Sequence, residues 1–279
     1  MAGTPIVLIH GYWHGSWCWT PLIAELTERG RQAIALDMAG HGLNAVWPSS
    51  NFARPFDPAA FATELSPMAG VTLDDAGDLL VSQLRRIFKG EKVVLIGHSM
   101  AGTVITNAAQ KAPELFERIV YLTAFMPAIG LPAAAYIQDP ANEGEKVGPS
   151  LAADPATVAC LRFDTGSPDA AYHQQLRDAF YHDVDPQLAD AAINLICTDA
   201  PIGIAAGVTE CTAEGWGSVP RTYILCTEDQ AIRPNLQRKF IEDADAAFPA
   251  NRTDVVELPS AHSPFLNMPD RLADYLAGV

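Results

Sequence analysis

The chain has 279 residues, of which 49% are hydrophobic and 18% are charged, and its formal net charge is −15 at pH 7. Such a chain can bury a sizeable core, as one large α/β domain with an inserted subdomain or as two small domains. The acidity argues against nucleic acids and anionic membrane surfaces as partners, and it makes a highly anionic substrate unfavourable.

Neither the start of the chain nor its cysteines indicate export. Residues 1–5 lead straight into an apolar run without a basic leader, and no apolar run approaches the length of a membrane span. The five cysteines are odd in number and form no C-x-x-C pair, which is typical of reduced thiols. We therefore expect a cytoplasmic protein that does not associate with membranes.

Short apolar runs alternate with helical patterns through most of the chain. Runs that predict buried strands occupy 5–9, 33–36, 93–96, 119–122, 222–226 and 254–258. Helical patterns occupy 21–29, 72–90, 100–112, 234–247 and 268–277, and the second begins with a capping box at Thr72 and Asp75. This alternation predicts βαβ units and a parallel sheet, so the fold class is α/β.

Two stretches interrupt the alternation. Residues 43–70 contain four prolines and four phenylalanine or tryptophan residues, a composition that favours a packed excursion over a disordered linker. From 128 to 215 only short helical patterns occur, at 168–182 and 186–198. We predict a largely helical cap subdomain at 128–215, inserted into a core formed by 1–127 and 216–279.

Ser99 lies at the join between a predicted strand and a predicted helix, in the sequence Gly-His-Ser-Met-Ala-Gly at 97–102. A serine at such a sharp turn is held away from its own backbone and faces the space above the sheet, as in the G-x-S-x-G nucleophile elbow. At the position of the second glycine in that pattern this chain has Ala101, whose side chain adds a single methyl group. The context favours a nucleophilic serine.

A serine nucleophile requires a base within reach and an acid that orients the base. In a parallel sheet, ligands bind beyond the carboxyl ends of the strands, so both partners should follow strands directly. Among the histidines after Ser99, His262 alone follows a strand closely, and Asp229 follows the strand at 222–226, with Glu228 as the alternative acid. We predict the triad Ser99, Asp229 and His262.

The oxyanion of an acyl-transfer intermediate needs two N–H donors. Met100, the residue after the nucleophile, should supply one, and Tyr12 in the loop after the first strand should supply the other. His10 and His14 in that loop have no acidic residue nearby and make a poor metal site. We therefore predict neither a metal nor a cofactor.

These motifs resemble the α/β-hydrolase superfamily, and within it the methylesterase and hydroxynitrile lyase branch together with bacterial carboxylesterases that hydrolyse pyrethroid esters. The matching stretches are 7–19, 97–102, 122–127, 223–229 and 261–262. The resemblance implies an α/β-hydrolase fold, a mostly parallel central sheet flanked by helices with a cap insertion. It implies the same triad and oxyanion donors as above, and a homodimer as a family expectation.

The chain departs from the cyanohydrin-cleaving members of that branch at two positions. Those members have threonine after the His-Gly pair and lysine after the catalytic histidine, where this chain has Tyr12 and Ser263. Because the lysine cation stabilises departing cyanide, its absence disfavours a hydroxynitrile lyase. A perhydrolase or acyltransferase using the same triad, and a non-catalytic small-molecule receptor, stay open as alternatives.

The sequence therefore favours a serine carboxylic-ester hydrolase that works through an acyl-enzyme on a small-molecule ester. The apolar cap and the aromatic residues of the first loop indicate a hydrophobic or aromatic substrate, with a pyrethroid-type ester or a methyl ester as candidates. We expect the substrate pocket to include Trp13, Trp17, His98 and Phe125.

Overall fold

A computed structural model describes residues 3–279, so the first two residues of the predicted core segment 1–127 lie outside the described part. Eight strands are present: β1 Ile6–Ile9, β2 Ala33–Leu36, β3 Val93–Ser99, β4 Phe116–Ala124, β5 Cys160–Arg162, β6 Asp199–Pro201, β7 Arg221–Cys226 and β8 Asp254–Leu258. Six of them form one sheet in the order β2-β1-β3-β4-β7-β8 with every neighbouring pair parallel. The predicted parallel sheet is thereby confirmed.

Twelve α-helices and seven short 3₁₀ turns connect the strands. The helices are α1 Thr20–Glu28, α2 Pro58–Thr63, α3 Leu73–Phe88, α4 Ala101–Lys111, α5 Ala133–Ile137, α6 Pro155–Val158, α7 Ala170–Phe180, α8 Pro186–Leu195, α9 Ile202–Ala206, α10 Pro234–Ala247, α11 Pro264–Asn267 and α12 Pro269–Ala277. The 3₁₀ turns are Ser16–Trp19, Gly42–Asn44, Ser49–Phe52, Pro113–Leu115, Pro140–Asn142, Gly148–Ser150 and Trp216–Ser218. The counts refer to the described residues.

The layers follow from the strand order. The step from β1 to β2 and the step from β3 to β4 run in opposite directions across the sheet, so right-handed crossovers place α1 and α4 on opposite faces. Helix α1 packs against α11 and α12, and α3 packs against α4. The inner strands β1, β3, β4 and β7 are almost wholly buried between these layers, whereas β2 and β8 at the sheet edges are partly exposed.

Helix α3 shows how local chemistry sets an element. The Thr72 hydroxyl accepts the Asp75 amide at 3.1 Å, and the Asp75 carboxylate accepts the Thr72 amide at 3.0 Å, which is the predicted capping box. The helix ends where Lys89 adopts φ of 51°, followed by Gly90. Its apolar positions recur at helical spacing and are buried toward the sheet.

Between β4 and β7 the chain leaves the sheet, and α7 and α8 lie at the predicted helical patterns of the cap. The cap (residues 128–215) also contains β5 and β6, an antiparallel pair that the sequence analysis missed. Each strand has three residues, which is too short for an alternating pattern to show. Arg162 in β5 and Asp199 in β6 form a buried bidentate ion pair, with Nε and Nη2 each 2.7 Å from the carboxylate.

The excursion at 43–70 is packed in part: Phe61 is buried, whereas Phe52 is 64% exposed. Arg162 Nη1 donates hydrogen bonds to the carbonyl oxygens of Phe61 and Glu64, so the cap holds this segment. The five cysteines are free thiols. Within residues 3–279, the helices are all too short or too polar to cross a lipid bilayer.

The carboxyl ends of the parallel strands meet at one edge of the sheet. The loops after β1, β7 and β8, together with the last residues of β3 and β4, therefore converge there. The cap lies between β4 and β7 in sequence, so the chain enters it from this edge and returns to the opposite edge, where β7 begins.

Candidate active site

Ser99 ends β3 with φ of 55°, a left-handed conformation that a non-glycine residue adopts at an energetic cost, and Met100 then returns to right-handed helical geometry. The turn thus has the strained form of a nucleophile elbow. Its strict requirement for glycine falls on Gly102 rather than on position 101, because a Cβ at Gly102 would lie 1.9 Å from the Phe125 carbonyl oxygen. Ala101 is accommodated and fully buried.

Asp229 and His262 form a buried acid–base pair. His262 Nδ1–H donates to Asp229 Oδ2 at 2.7 Å, and Asp229 Oδ1 accepts the amides of Ala231 at 2.6 Å and Ile232 at 3.0 Å. The carboxylate therefore fixes the imidazole tautomer with its proton on Nδ1 and leaves the lone pair on Nε2. The alternative acid, Glu228, is exposed.

Thr123 is a further contact of the acid that the sequence analysis missed. Its hydroxyl donates to Asp229 Oδ2, the same oxygen that accepts the proton of His262. Thr123 has φ of 37°, which is rare for a β-branched residue. The one signal in the sequence is its position directly after the predicted strand at 119–122, where the side chain reaches the carboxyl edge of the sheet.

His98 links the serine turn to His262. Its Nε2–H donates to the His262 carbonyl oxygen at 2.8 Å, and the two rings are 4.5 Å apart between centroids. Burial, and secondarily the neighbouring His262, holds the pKa of His98 well below its usual value, so this ring stays neutral. His98 was predicted as a pocket residue, and it does not line the cavity described below.

The loop after β1 (residues 10–15, here the oxyanion loop) lies directly against the serine. A Cβ on Gly11 would be 2.6 Å from the Cβ of Ser99, so a side chain there is excluded. Tyr12 and Met100, the predicted oxyanion donors, both line the same cavity as Ser99. The structure thus brings these three residues together, and the stabilisation of an oxyanion by their amides is part of the proposal below.

Hydrogen bonds fasten the oxyanion loop to the cap. The Tyr12 hydroxyl donates to the Pro201 carbonyl at 2.7 Å, and Trp13 Nε1–H donates to the Leu161 carbonyl at 3.0 Å. The Cys197 amide donates to the Trp13 carbonyl at 2.8 Å. The Tyr12 hydroxyl is therefore engaged by the cap.

His10 and His14 are satisfied core histidines. His10 Nε2 accepts the Met38 amide at 3.2 Å, and His14 accepts the Tyr181 hydroxyl at 2.7 Å and donates to the Tyr12 carbonyl at 2.8 Å. Burial lowers the pKa of His10 to about 3 and that of His14 to about 4, so both stay neutral. Within residues 3–279, His, Cys, Asp and Glu side chains form no group of three that could hold a metal ion.

A cavity of about 90 Å³ opens beside Ser99, and its walls are almost entirely apolar. The predicted residues Trp13 and Phe125 line it, with a set of further side chains: Ile137, Val147, Leu151, Leu161, Phe180, Ala231 and Ile232. Trp17, also predicted for the pocket, does not line this cavity. Its ring stacks on His14 with ring centroids 5.7 Å apart.

Two polar residues reach the cavity, but their oxygens are engaged. Asn142 Oδ1 accepts the Arg233 amide at 3.0 Å, and the Glu145 carboxylate accepts the Val147 amide at 2.7 Å together with the Gly148 amide. The cavity therefore presents mainly hydrocarbon to a ligand, with the serine at one end.

Known proteins share this architecture over its full length. The sequence pattern of the Alpha/beta hydrolase family matches residues 6–275. Methylesterase 9 of Arabidopsis thaliana is 28% identical over 287 residues, an alignment that covers 98% of this chain and 96% of the relative. Methyl jasmonate esterase 1 of Vitis vinifera is 25% identical over 283 residues and is covered to 95%.

Solved structures give the same result for the fold. The crystal structure of a pyrethroid hydrolase superposes with a TM-score of 0.77 at 23% identity, covering 99% of this chain and 96% of the other. With the nucleophile elbow at the end of β3, the parallel sheet and the family pattern over 270 of 279 residues (6 to 275), the chain belongs to the Alpha/beta hydrolase family.

Proposed function

We propose that this protein is a serine carboxylic-ester hydrolase that works through an acyl-enzyme on a hydrophobic or aromatic ester. The observation that carries the proposal is the buried Asp229–His262 pair, held through His98 next to a strained Ser99 that opens onto an apolar cavity. The methylesterase relatives support an esterase of the α/β-hydrolase type.

In the acylation half, Ser99 Oγ attacks the ester carbonyl carbon while His262 Nε2 takes the hydroxyl proton. The carbonyl oxygen becomes an oxyanion that accepts the amides of Tyr12 and Met100, each donor contributing about 3 kcal/mol to the transition state. When the C–O bond to the alcohol breaks, His262 returns the proton to the departing oxygen. The product is an ester of the acyl group with Ser99.

In the deacylation half, water repeats the same steps. His262 removes a proton from water, the hydroxide attacks the acyl carbon, and the bond to Ser99 Oγ breaks as the proton moves back to the serine. Throughout, the Asp229 carboxylate orients the imidazole and stabilises the cation that forms on it. The chemistry needs only groups of this chain and water.

The substrate class is argued from the cavity. Hydrocarbon walls favour an ester whose buried group is apolar, since burial is worth about 25 cal/mol per Å². The engaged oxygens of Asn142 and Glu145 offer little to a polar acyl group. The methyl-ester and pyrethroid-type candidates both satisfy this condition.

The proposal is tested with a fluorophosphonate probe followed by peptide mapping, alongside a p-nitrophenyl ester series of increasing acyl length. We expect stoichiometric labelling of Ser99, turnover that favours apolar acyl groups, and loss of both in Ser99→Ala. Unchanged turnover in Ser99→Ala would refute the scheme. Replacing water with hydrogen peroxide or an alcohol in the assay separates a hydrolase from a perhydrolase or an acyltransferase.

A further inference from the structure

Asp183 is a cap residue whose carboxylate holds the loop that carries His262. One oxygen, Oδ2, accepts three hydrogen bonds: from the Ala261 amide at 2.7 Å, from Asn267 Nδ2 at 2.8 Å and from the Ser260 hydroxyl at 3.3 Å. Asp183 lies between α7 and α8, whereas its donors lie after β8, some eighty residues later in the chain. The contact therefore joins the cap to the core.

The three donors lie on both sides of His262 in sequence. Ala261 precedes it directly and is fully buried, so its amide would lose its acceptor without gaining water if Asp183 were absent. This loop is also restrained by the His262 hydrogen bond to Asp229, by the His98 hydrogen bond to the His262 carbonyl and by the Glu228 amide, which donates to the Ser260 carbonyl at 3.1 Å. Asp183 adds hydrogen bonds that reach the loop from the cap.

The segment around Asp183 is itself anchored next to the site. The neighbouring Tyr181 donates its hydroxyl to His14 of the oxyanion loop, and Phe180 packs on His262 with ring centroids 5.7 Å apart. A displaced cap would therefore move Asp183 together with these two contacts. Catalysis is sensitive to such shifts, since a misplacement of about 1 Å costs about 10²-fold in rate.

We propose, resting on the esterase function above, that Asp183 is a positioning residue that holds His262 in register with Ser99 and makes turnover depend on the seating of the cap. Its role is geometric: the carboxylate accepts the loop's hydrogen bonds and fixes the position of the imidazole. It does not touch the substrate.

The test compares Asp183→Ala with Asp183→Asn, whose amide oxygen can accept the same three hydrogen bonds. We expect Asp183→Ala to lower kcat and the rate of fluorophosphonate labelling by about 10- to 100-fold with KM nearly unchanged, and Asp183→Asn to restore most of the loss. The matched control is Asp185→Ala, which removes the helix cap of α8 two residues away. It should lower the unfolding midpoint but leave kcat at the wild-type value.

A second variant keeps the test decisive if Asp183→Ala does not fold. Asn267→Ala removes one donor to the same oxygen and should lower kcat severalfold, and the double variant should be no slower than Asp183→Ala alone. If wild-type protein is not labelled at Ser99, the proposed function fails. If wild-type protein is labelled and either Asp183→Ala or Asn267→Ala reacts as fast as wild type, the role of Asp183 is refuted.

Discussion

Four buried histidines should make the native fold unusually sensitive to mild acid. Besides His10 and His14, burial lowers the pKa of His41 to about 4, and it holds that of His98 well below its usual value. In the unfolded chain the same rings bind protons near pH 6.5. The stabilisation that they provide is therefore present above pH 6.5 and is lost as the pH falls toward 4.

The magnitude follows from proton linkage. Each ring that is neutral when folded and titrates near pH 6.5 when unfolded removes about 2 kcal/mol of stability between pH 7.5 and pH 5. The four rings together remove about 8 kcal/mol, which is comparable to the whole stability of a typical domain. Near pH 5.5 the free energy of unfolding should fall by about 5 kcal/mol per pH unit. Carboxylates with lowered pKa values, such as Glu64 at about 2, act only at lower pH.

The assay is urea denaturation at several pH values between 7.5 and 5, with calorimetry in two buffers to count the protons taken up on unfolding. At pH 5 we expect unfolding to take up about four protons, one for each buried ring. His41→Phe keeps an aromatic ring against Tyr12 and removes one titrating ring, so it should reduce the slope near pH 5.5 by about 1.2 kcal/mol per pH unit. Trp17→Phe changes the ring that stacks on His14 but removes no titrating group, so it should leave the slope unaltered. An uptake of one proton or fewer at that pH would refute the conclusion that the four buried histidines are neutral in the folded protein.

Three further perturbations test the site and its frame. Thr123→Val should lower kcat about 10-fold, because it removes a hydrogen bond to the Asp229 carboxylate, and Thr123→Ser should keep kcat near the wild-type value. Equal kcat values for Thr123→Val and wild type would exclude a role of the hydroxyl in turnover. Gly102→Ala should lower the free energy of unfolding by about 3 kcal/mol in urea titrations, because its Cβ would collide with the Phe125 carbonyl oxygen. The Cβ of Gly70→Ala meets nothing within 4 Å and should change the free energy of unfolding little, so equal effects of the two variants would contradict this explanation. Leu151→Phe narrows the cavity and should raise KM for esters with long acyl groups, whereas Trp17→Phe should leave KM unchanged. If both variants raise KM equally, the cavity is not the substrate site.

The parallel sheet was predictable because each strand is a short apolar run between helical patterns, a signal that depends only on neighbours in sequence. Ser99 was selected by the strand–turn–helix context of the nucleophile-elbow motif, and Asp229 and His262 were selected by the rule that ligand-binding loops follow parallel strands. The structure brings Asp229 and His262 into direct contact and places Ser99 next to them through His98.

What the sequence could not provide depends on side-chain direction and on long-range contact. The sequence around Trp13, which lines the cavity, does not differ in any informative way from the sequence around Trp17, which stacks on His14. Thr123 and Asp183 contact residues 106 and 78 positions away, and such pairs are fixed only by tertiary packing. A single chain carries no signal for them beyond their polarity.

The hydrogen bonds between the oxyanion loop and the cap bear on how this fold can be recombined. Tyr12 and Trp13 belong to the core segment by sequence, yet the Tyr12 hydroxyl and the indole and carbonyl of Trp13 are bonded to β6, β5 and the residue at 197. A chimera that grafts a relative's residues onto 128–215 would leave these groups facing foreign partners. An exchange of the cap must therefore include at least the loop at 10–15, although the two segments lie far apart in the gene.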